Sequence, residues 1–187
     1  MLTENQTGNQ VKVLRTDNGL EYCNADFDEF CKTRGILRHI RVKYTPQQNG
    51  IAERTNRTLL DKVRCMLVSS GLPKLFWGEA VMTAAHLVNM SPSTAINFKT
   101  PEELWTGKIP DYSTLRVFGY ASYVHQSKGK LEPRVVKGVF LGYPQGVKGY
   151  RLWLKEDKGY RVTTSRDVTF DELTMPCRAV SVANSGT

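Results

Sequence analysis

The period at which apolar residues recur changes near residue 115, and this change is the strongest constraint on the fold. Before it, apolar residues recur at the three- and four-residue spacing of helices, with short alternating stretches between them. After it, short alternating segments follow one another with polar turns between them, at residues 115–124, 135–142, 150–155 and 160–170. Four or five short antiparallel strands predict a small all-β barrel, which would follow an α/β region.

Two strands and a helix are predicted before residue 43. Residues 11–16 alternate between apolar and polar side chains, which predicts a strand with one buried face. Residues 36–42 alternate again and predict a second strand, basic on its polar side. Between the two strands, Asn24 is a typical helix N-cap and Gly35 a typical helix end.

Three helices are predicted between the second strand and the all-β segment. The first covers residues 51–70 and stops at Gly71, with an apolar face made by Ile51, Leu59, Leu60, Val63, Met66 and Leu67. The second covers residues 74–90, and its helix-spaced apolar stripe indicates packing in the core: Trp77, Ala80, Val81, Ala84, Leu87 and Val88. Thr100 and Glu103 form a capping-box pattern that begins a third, short helix.

Composition narrows the class of protein. A chain of 187 residues with 40% hydrophobic residues is typical of one folded domain, or of one domain plus a small module. No segment approaches the roughly 18 apolar residues of a membrane span, and the polar first ten residues argue against a secretory signal. The four cysteines form no Cys-x-x-Cys pair and none lies near a histidine at zinc-ligand spacing. We therefore expect an intracellular protein in a reducing compartment, with no membrane partner and no zinc site.

The net charge of +8 is unevenly distributed along the chain. Residues 113–170 hold 11 of the 26 basic residues and four of the 18 acidic ones, a balance of +7. Residues 1–112 have a balance of only +2. A basic excess in a protein of this class points first to nucleic acid. Simple solubility is the alternative explanation, and the charge does not decide between the two.

Two carboxylates stand where α/β proteins place functional groups. Asp17 follows the first predicted strand, and Glu53 lies near the start of the long helix, after a polar loop. Each has a simpler explanation. Asp17 precedes an Asn-Gly pair that suits a hairpin turn, and Glu53 could pair with Arg57 one turn along the helix for about 0.3–0.5 kcal/mol.

A divalent metal is the functional explanation of these two carboxylates. Mg²⁺ is held by a few carboxylates and keeps several waters, which leaves room for phosphate oxygens. If folding brings Asp17 and Glu53 together, they could form part of a site for phosphodiester chemistry, although two-metal chemistry usually needs a third acidic ligand. In the loop between them, Gln47, Gln48 and Asn49 suit a turn, and amide side chains of this kind can also contact bases or phosphates.

Eight short motifs follow one another along the chain. Two of them surround the candidate carboxylates, LRTDNGLEY at 14–22 and YTPQQNGIAER at 44–54. The other six are FWGEA at 76–80, NMSPS at 89–93, KTPE at 99–102, LRVFGY at 115–120, KGVFLGY at 137–143 and SRDVTFDE at 165–172. In these motifs and in their order, the chain resembles the integrases of copia-type LTR retrotransposons from about residue 4 to residue 172.

The resemblance implies an α/β ribonuclease-H-like core followed by a small all-β SH3-like barrel. It places a partial catalytic core at residues 1–111, the barrel at 112–172 and a flexible tail at 173–187. It also implies an activity for the intact protein. Such integrases cleave the ends of the element by metal-dependent hydrolysis and join them to target DNA by strand transfer.

The resemblance further implies an Asp, Asp, Glu triad that binds Mg²⁺ or Mn²⁺. The second Asp of the triad corresponds to Asp17 and the Glu to Glu53. Gln48 and Asn49 in the loop, and Arg54 and Arg57 on the helix, are the expected contacts to nucleic acid.

One member of that triad has no counterpart among these residues. The family's first Asp lies on an earlier strand, which the motifs place before residue 1. We therefore expect an N-terminally truncated core that is catalytically inactive by itself, with DNA and other integrase copies as partners and the nucleus as location. Two alternatives stay open, namely a non-catalytic module whose basic barrel binds nucleic acid or protein, and a relic without a selected role.

Overall fold

The computed structural model describes residues 2–16, 24–40, 50–125, 135–156 and 159–178. The chain forms two compact units, residues 1–57 and residues 58–187.

The first unit is a small α/β arrangement. Helix α1 (Leu2–Thr7) precedes strand β1 (Val13–Thr16), helix α2 (Ala25–Thr33) and strand β2 (Leu37–Ile40). The two strands are parallel, with Val13 opposite Leu37 and Thr16 opposite Ile40, as expected for strands joined through a helix.

Local signals set the ends of α2 as predicted. The Asn24 side chain accepts a hydrogen bond from the backbone N–H of Phe27 at 2.7 Å, and Gly35 has a positive φ of 65° just beyond the helix. Arg38 on β2 forms an ion pair with Asp28 on α2, and its guanidinium lies 4.9 Å from the ring centroid of Phe27. The basic side of β2 therefore contributes to helix packing through Arg38.

The first strand was predicted to have one buried face, and its burial is only partial. Val13 is 55% exposed, and Leu37 opposite it is 66% exposed. Leu14 and Thr16 are the half-buried residues of β1. Within the described residues of this unit, one nine-residue helix packs on the strand pair, and it cannot cover both faces of the pair.

Helix α3 (Gly50–Ser70) begins in the first unit and continues into the second. Helices α4 (Trp77–Asn89) and α5 (Pro101–Thr106) follow, and short 3₁₀ turns precede α4 and lie between the two helices. The predicted ends are confirmed: Gly71 follows α3 with φ +70°, and the Thr100 hydroxyl accepts a hydrogen bond from the N–H of Glu103 at 3.0 Å.

The predicted apolar stripe of the second helix is correct at its centre and wrong at its start. Ala80 and Ala84 are fully buried, whereas Trp77 is 62% exposed. Trp77 is the first residue of α4. The preceding residue, Phe76, packs instead, with its ring 4.8 Å from that of Trp153 on the sheet.

The sheet of the second unit has five antiparallel strands in the order β6-β5-β4-β3-β7. Their bounds are β3 Ala121–His125, β4 Val135–Gly142, β5 Tyr150–Glu156, β6 Gly159–Ser165 and β7 Val168–Asp171. The number of strands agrees with the prediction. Residues 115–120, however, are not a strand, and the stretch predicted as one strand over 160–170 is two. After a bend at Arg166 and Asp167, β7 pairs with β3 at the opposite edge of the sheet.

Both faces of this sheet are packed. One core cluster joins α3 and α4 to the sheet and contains Val63, Leu72, Ala80, Ala84, Phe118, Val139 and Leu141. The other lies on the opposite face and contains Val124, Phe140, Leu152 and Leu154. The predicted domain boundary between residues 111 and 112 thus falls inside one compact unit, and the domain bounds drawn from the sequence stay a prediction.

The first residues of the predicted flexible tail contact the sheet and the core. The carbonyl of Thr174 accepts a hydrogen bond from the N–H of Ala121 at 2.9 Å, and Cys177 packs against the cluster that joins the helices to the sheet. Residues 179–187 lie outside the described residues.

Candidate functional site

The structure describes three of the six predicted site residues. Glu53, Arg54 and Arg57 lie in the first two turns of α3 and are exposed. Asp17, Gln48 and Asn49 lie outside the described residues, so the expected approach of Asp17 to Glu53 stays a prediction.

The strand pair presents a polar edge next to the predicted position of Asp17. Because β1 and β2 are parallel, their carboxyl ends at Thr16 and Ile40 lie side by side, and Asp17 is the next residue of the chain after Thr16. The Thr16 hydroxyl oxygen is buried and has no hydrogen-bond partner among the described residues. Open α/β sheets bind their ligands at such carboxyl ends.

Glu53 is placed where a negative charge is favoured. It is the acidic residue of the first turn of α3, close to the positive end of the helix dipole. The ion pair with Arg57 that the spacing permits is not formed within the part of the chain that the structure describes. The Glu53 side chain is exposed, and none of the other described residues forms an ion pair with its carboxylate.

Arg54 extends back towards the start of the same helix. A Cβ atom placed on Gly50 would lie 3.3 Å from its guanidinium nitrogen Nη1. A positive charge at the positive end of a helix is unfavourable unless an anion lies nearby. Arg54 and Arg57 together make the first turns of α3 suitable for binding a phosphate.

No complete metal site occurs among the described residues. They contain no group of three His, Cys, Asp or Glu side chains that could hold a metal ion. Glu53 fits one position of a Mg²⁺ site because Mg²⁺ prefers carboxylate oxygens, but such a site needs further ligands.

The second unit contains a separate cleft of about 600 Å³ next to α4. It is lined by Trp77, Gly78, Glu79, Val81, Met82, Tyr143, Pro144, Gln145 and Arg151. In its wall, Arg151 donates from Nε and Nη2 to the two carboxylate oxygens of Glu79, at 2.6 and 2.8 Å. This hydrogen bonding raises the pKa of Arg151. Among the predicted site residues that the structure describes, namely Glu53, Arg54 and Arg57, none lines this cleft.

Four basic residues in the sheet or next to it differ in whether they form an ion pair. Arg151 is paired with Glu79, and Arg116 lies 3.5 Å from a carboxylate oxygen of Glu172. Lys137 and Lys155 are exposed and have no ion pair within the described residues. Sequence analysis located the basic excess in this region but did not single out these two lysines, because strand register cannot be read from composition.

Comparison with known proteins gives the class of the chain. Residues 119–182 match the family model of the retroviral polymerase SH3-like domain. Over 174 residues the chain is 47% identical to the retrovirus-related Pol polyprotein from transposon TNT 1-94 of Nicotiana tabacum, covering 91% of this chain and 13% of that protein. Over 83 residues it is 53% identical to an uncharacterized mitochondrial protein of Arabidopsis thaliana, covering 44% of this chain and 69% of that protein.

Among solved structures, a chain of the simian T-cell lymphotropic virus intasome aligns with 90% of this chain and 60% of its own length. The identity is 19% and the TM-score 0.46, values too low to support an argument about function.

The antiparallel sheet and the matched family model define a protein with an SH3-like domain of the retroviral polymerase type, preceded by an α/β segment. The homologues of the chain are retrovirus-related Pol polyproteins of plant retrotransposons, as its motifs indicated. It spans 13% of the length of the tobacco polyprotein, so the activities of a whole polyprotein are not assigned to it by this match.

The described residues contain no helix that is long and apolar enough to cross a membrane.

Proposed function

We propose that this chain is the part of a copia-type retrotransposon integrase that supplies two carboxylates of a metal site and holds the DNA near them. The observation that supports this most strongly is the setting of Glu53. It is exposed at the start of α3 and unpaired within the described residues, and arginines follow it on the same helix. The 47% identity to a transposon Pol polyprotein extends over this region and the sheet alike.

In the proposed site, Asp17 and Glu53 are metal ligands together with a third carboxylate. Bound Mg²⁺ or Mn²⁺ would lower the pKa of the attacking hydroxyl and stabilise the leaving oxygen. The contribution of this chain is placement. Helix α3 carries the Glu53 carboxylate and, less than two turns away, the Arg54 and Arg57 guanidinium groups.

Arg54 and Arg57 would position the DNA backbone. A guanidinium group binds a phosphate through two parallel hydrogen bonds and keeps its charge at any physiological pH. Gln48 and Asn49, in the loop before α3, would add amide contacts to phosphates or bases. We further propose that DNA ends are held by several copies of the protein, and that the reaction takes place in the nucleus, where the target DNA lies.

The test uses the integrase that contains this segment. Asp17→Asn and Glu53→Gln should each lower the rates of end cleavage and strand transfer by more than about 100-fold. Mutation of a residue that only supports a metal ligand typically costs about 10–100-fold, and loss of the ligand itself should cost more. Glu29→Gln on α2, an equal change at an exposed position, is the control. Titration with Mn²⁺ by calorimetry gives a readout that does not depend on activity. Full activity of Glu53→Gln would refute the proposal.

A polypeptide of these 187 residues, tested alone, should carry out neither reaction, because it supplies two of the three carboxylates of the family triad. Strand transfer by this polypeptide that is lost in Asp17→Asn would contradict the expectation.

A second candidate function is a non-catalytic module whose basic sheet binds nucleic acid or protein. Lys137 and Lys155 favour it, since both are exposed and neither forms an ion pair with another described residue. If the sheet contacts about five duplex phosphates, the logarithm of affinity should fall with the logarithm of salt at a slope near −4.5. Affinity that does not change with salt would count against this candidate.

A further inference from the structure

The strand register places basic and aromatic residues in one row across the sheet. Tyr123 on β3 is opposite Lys137 on β4, and Lys155 on β5 is opposite Tyr160 on β6. Gly138 is opposite Leu154, so continuing this register by one residue sets Lys137 opposite Lys155. Side chains that are directly opposite in a sheet point to the same face. The four residues therefore form one row, called the Tyr-Lys row below.

The lysines of the Tyr-Lys row are in an unusual electrostatic setting. Like charges directly opposite each other destabilise a sheet unless a counter-charge lies between them. Neither lysine has an ion pair within the described residues. Asp171 on β7 lies on the same face, two strands away from Lys137. Hydrogen bonds from Thr174 and Leu173 lower the pKa of its carboxyl group, and the charge of Lys137 lowers it further, so Asp171 is a partial counter-charge for Lys137 alone. The pair of lysines is thus suited to an anion from outside the described fold.

The tyrosines add a flat apolar surface on either side of the lysines. Tyr160 is 61% exposed, and its ring is stacked on that of Trp153 at a centroid distance of 4.4 Å. Trp153 in turn packs against the buried cluster that joins the helices to the sheet. Tyr160 is therefore a supported aromatic surface facing solvent. Tyr123, at the other end of the row, is half-buried.

The size of the row matches a short piece of nucleic acid. Three strand spacings of about 4.8 Å give a distance of about 14 Å between its ends. This is roughly the length of four stacked nucleotides at 3.4 Å each. Proteins that bind single strands combine two features: cationic groups that contact phosphates, and aromatic side chains on which bases stack. A duplex keeps its base faces inside and cannot use the tyrosines in this way.

We propose that the Tyr-Lys row binds single-stranded nucleic acid, with phosphates at Lys137 and Lys155 and a base stacked on Tyr160. This extends the binding role of the second candidate function, and it does not depend on the metal site at Glu53. An acidic peptide is the competing ligand, but it would use only the lysines.

The experiment measures binding of a fluorescent 15-nucleotide oligo-dT to the 187-residue chain by anisotropy, in EDTA and over a series of KCl concentrations. Lys137→Gln with Lys155→Gln should make the salt slope shallower by about 1.4, two phosphates at about 0.7 each. Lys74→Gln with Lys148→Gln removes the same charge from exposed positions outside the row and should leave the slope nearly unchanged. Equal effects of the two double variants would overturn the proposal.

Tyr160 is tested by paired substitutions. Tyr160→Ala should weaken binding about 5- to 150-fold, the range for loss of one stacked base, and Tyr160→Phe should restore it. Tyr112→Ala removes an exposed tyrosine that is not on the sheet and is the matched control. Circular dichroism melts check that Tyr160→Ala remains folded. Any of three results would refute the proposal. A folded Tyr160→Ala variant could bind oligo-dT as tightly as the parent, a duplex could bind more tightly than oligo-dT, or polyglutamate could compete as well as unlabelled oligo-dT.

The design separates this inference from the proposed catalytic site. EDTA removes divalent metal, so metal binding at Glu53 does not contribute to the affinity that is measured. The changes Arg54→Gln and Arg57→Gln remove the proposed phosphate contacts of helix α3. The substitutions in the Tyr-Lys row are also measured in a protein that carries these two changes. If they still alter the salt slope and the affinity for oligo-dT, the site on the sheet is supported even if the catalytic proposal fails.

Discussion

Among individual residues, His86 has a setting that should affect stability. It lies on α4, half-buried, with its ring 4.0 Å from that of Tyr143. Its Nε2 atom is buried, and no other described residue forms a hydrogen bond with it. Burial lowers the pKa of His86, and the nearby Glu102 on α5 partly opposes this shift. Burial also raises the pKa of Tyr143, whose hydroxyl accepts a hydrogen bond from the N–H of Arg116 at 2.9 Å. Both groups are therefore neutral near pH 7.

The lowered pKa of His86 predicts a loss of stability in acid. Because the unfolded chain binds this proton more readily, the stabilising contribution of the neutral ring is complete above pH 6.5 and is lost as the pH falls below that value. We expect His86→Gln to reduce the difference in unfolding free energy between pH 7.5 and pH 5.5, as measured by urea denaturation. His125→Gln, at an exposed position, is the control. An identical pH dependence in His86→Gln and wild type would refute this.

At the scale of elements, α3 and α4 pack on the sheet through contacts that leave no room for larger side chains. A Cβ on Gly119 would lie 2.2 Å from the Cβ of Ser70 at the end of α3, and one on Gly142 would lie 2.1 Å from the Thr83 hydroxyl on α4. That hydroxyl donates a hydrogen bond to the carbonyl of Leu141 at 2.7 Å. These contacts attach the two helices directly to the backbone of the sheet segment.

The prediction at this scale concerns Gly119. Its φ of +88° strains any other residue, and an added methyl group would also collide with Ser70. We expect Gly119→Ala to lower the free energy of unfolding by about 2–4 kcal/mol, from strain plus overpacking. Gly146→Ala, at φ +69° with nothing within 4 Å, should lose only the strain, about 1–2 kcal/mol. Chemical denaturation measures both, and equal losses would show that the contact with Ser70 does not matter.

For the whole molecule, the family match and the compact unit do not coincide. The SH3-like match begins at residue 119, whereas the unit that contains the sheet begins at residue 58 and includes most of α3 and all of α4. Phe118, Val139 and Leu141 are buried in the cluster shared with these helices. Each such side chain contributes about 1.5–3 kcal/mol when buried, against a typical total stability of about 5–15 kcal/mol.

We therefore predict that the SH3-like segment needs the helices in order to fold. A polypeptide of residues 58–178 should unfold cooperatively, whereas one of residues 113–178 should show weak cooperativity and bind ANS through its uncovered apolar face. Thermal melts with ANS fluorescence compare the two. A cooperative melt of residues 113–178 at the midpoint of the longer polypeptide would contradict this and would favour a domain boundary near residue 112.

The sequence by itself determined the local features of this protein. Asn24, Gly35, Gly71 and Thr100 predicted helix ends correctly, because capping and positive-φ signals act within one turn of chain. The ordered motifs identified the family and made Glu53 a candidate ligand on α3, while the place of Asp17 beside it stays a prediction.

Only the tertiary structure decided the features that depend on distant residues. It showed that Trp77 and Val13 are exposed, that β7 pairs with β3, and that the helices share a core with the sheet. The alignment of Tyr123, Lys137, Lys155 and Tyr160 belongs to the same group, since it follows from the register of four strands. Burial and register depend on which segments contact each other after folding. Apolar periodicity indicates that a face is suited to burial, but it does not indicate which segment will cover that face.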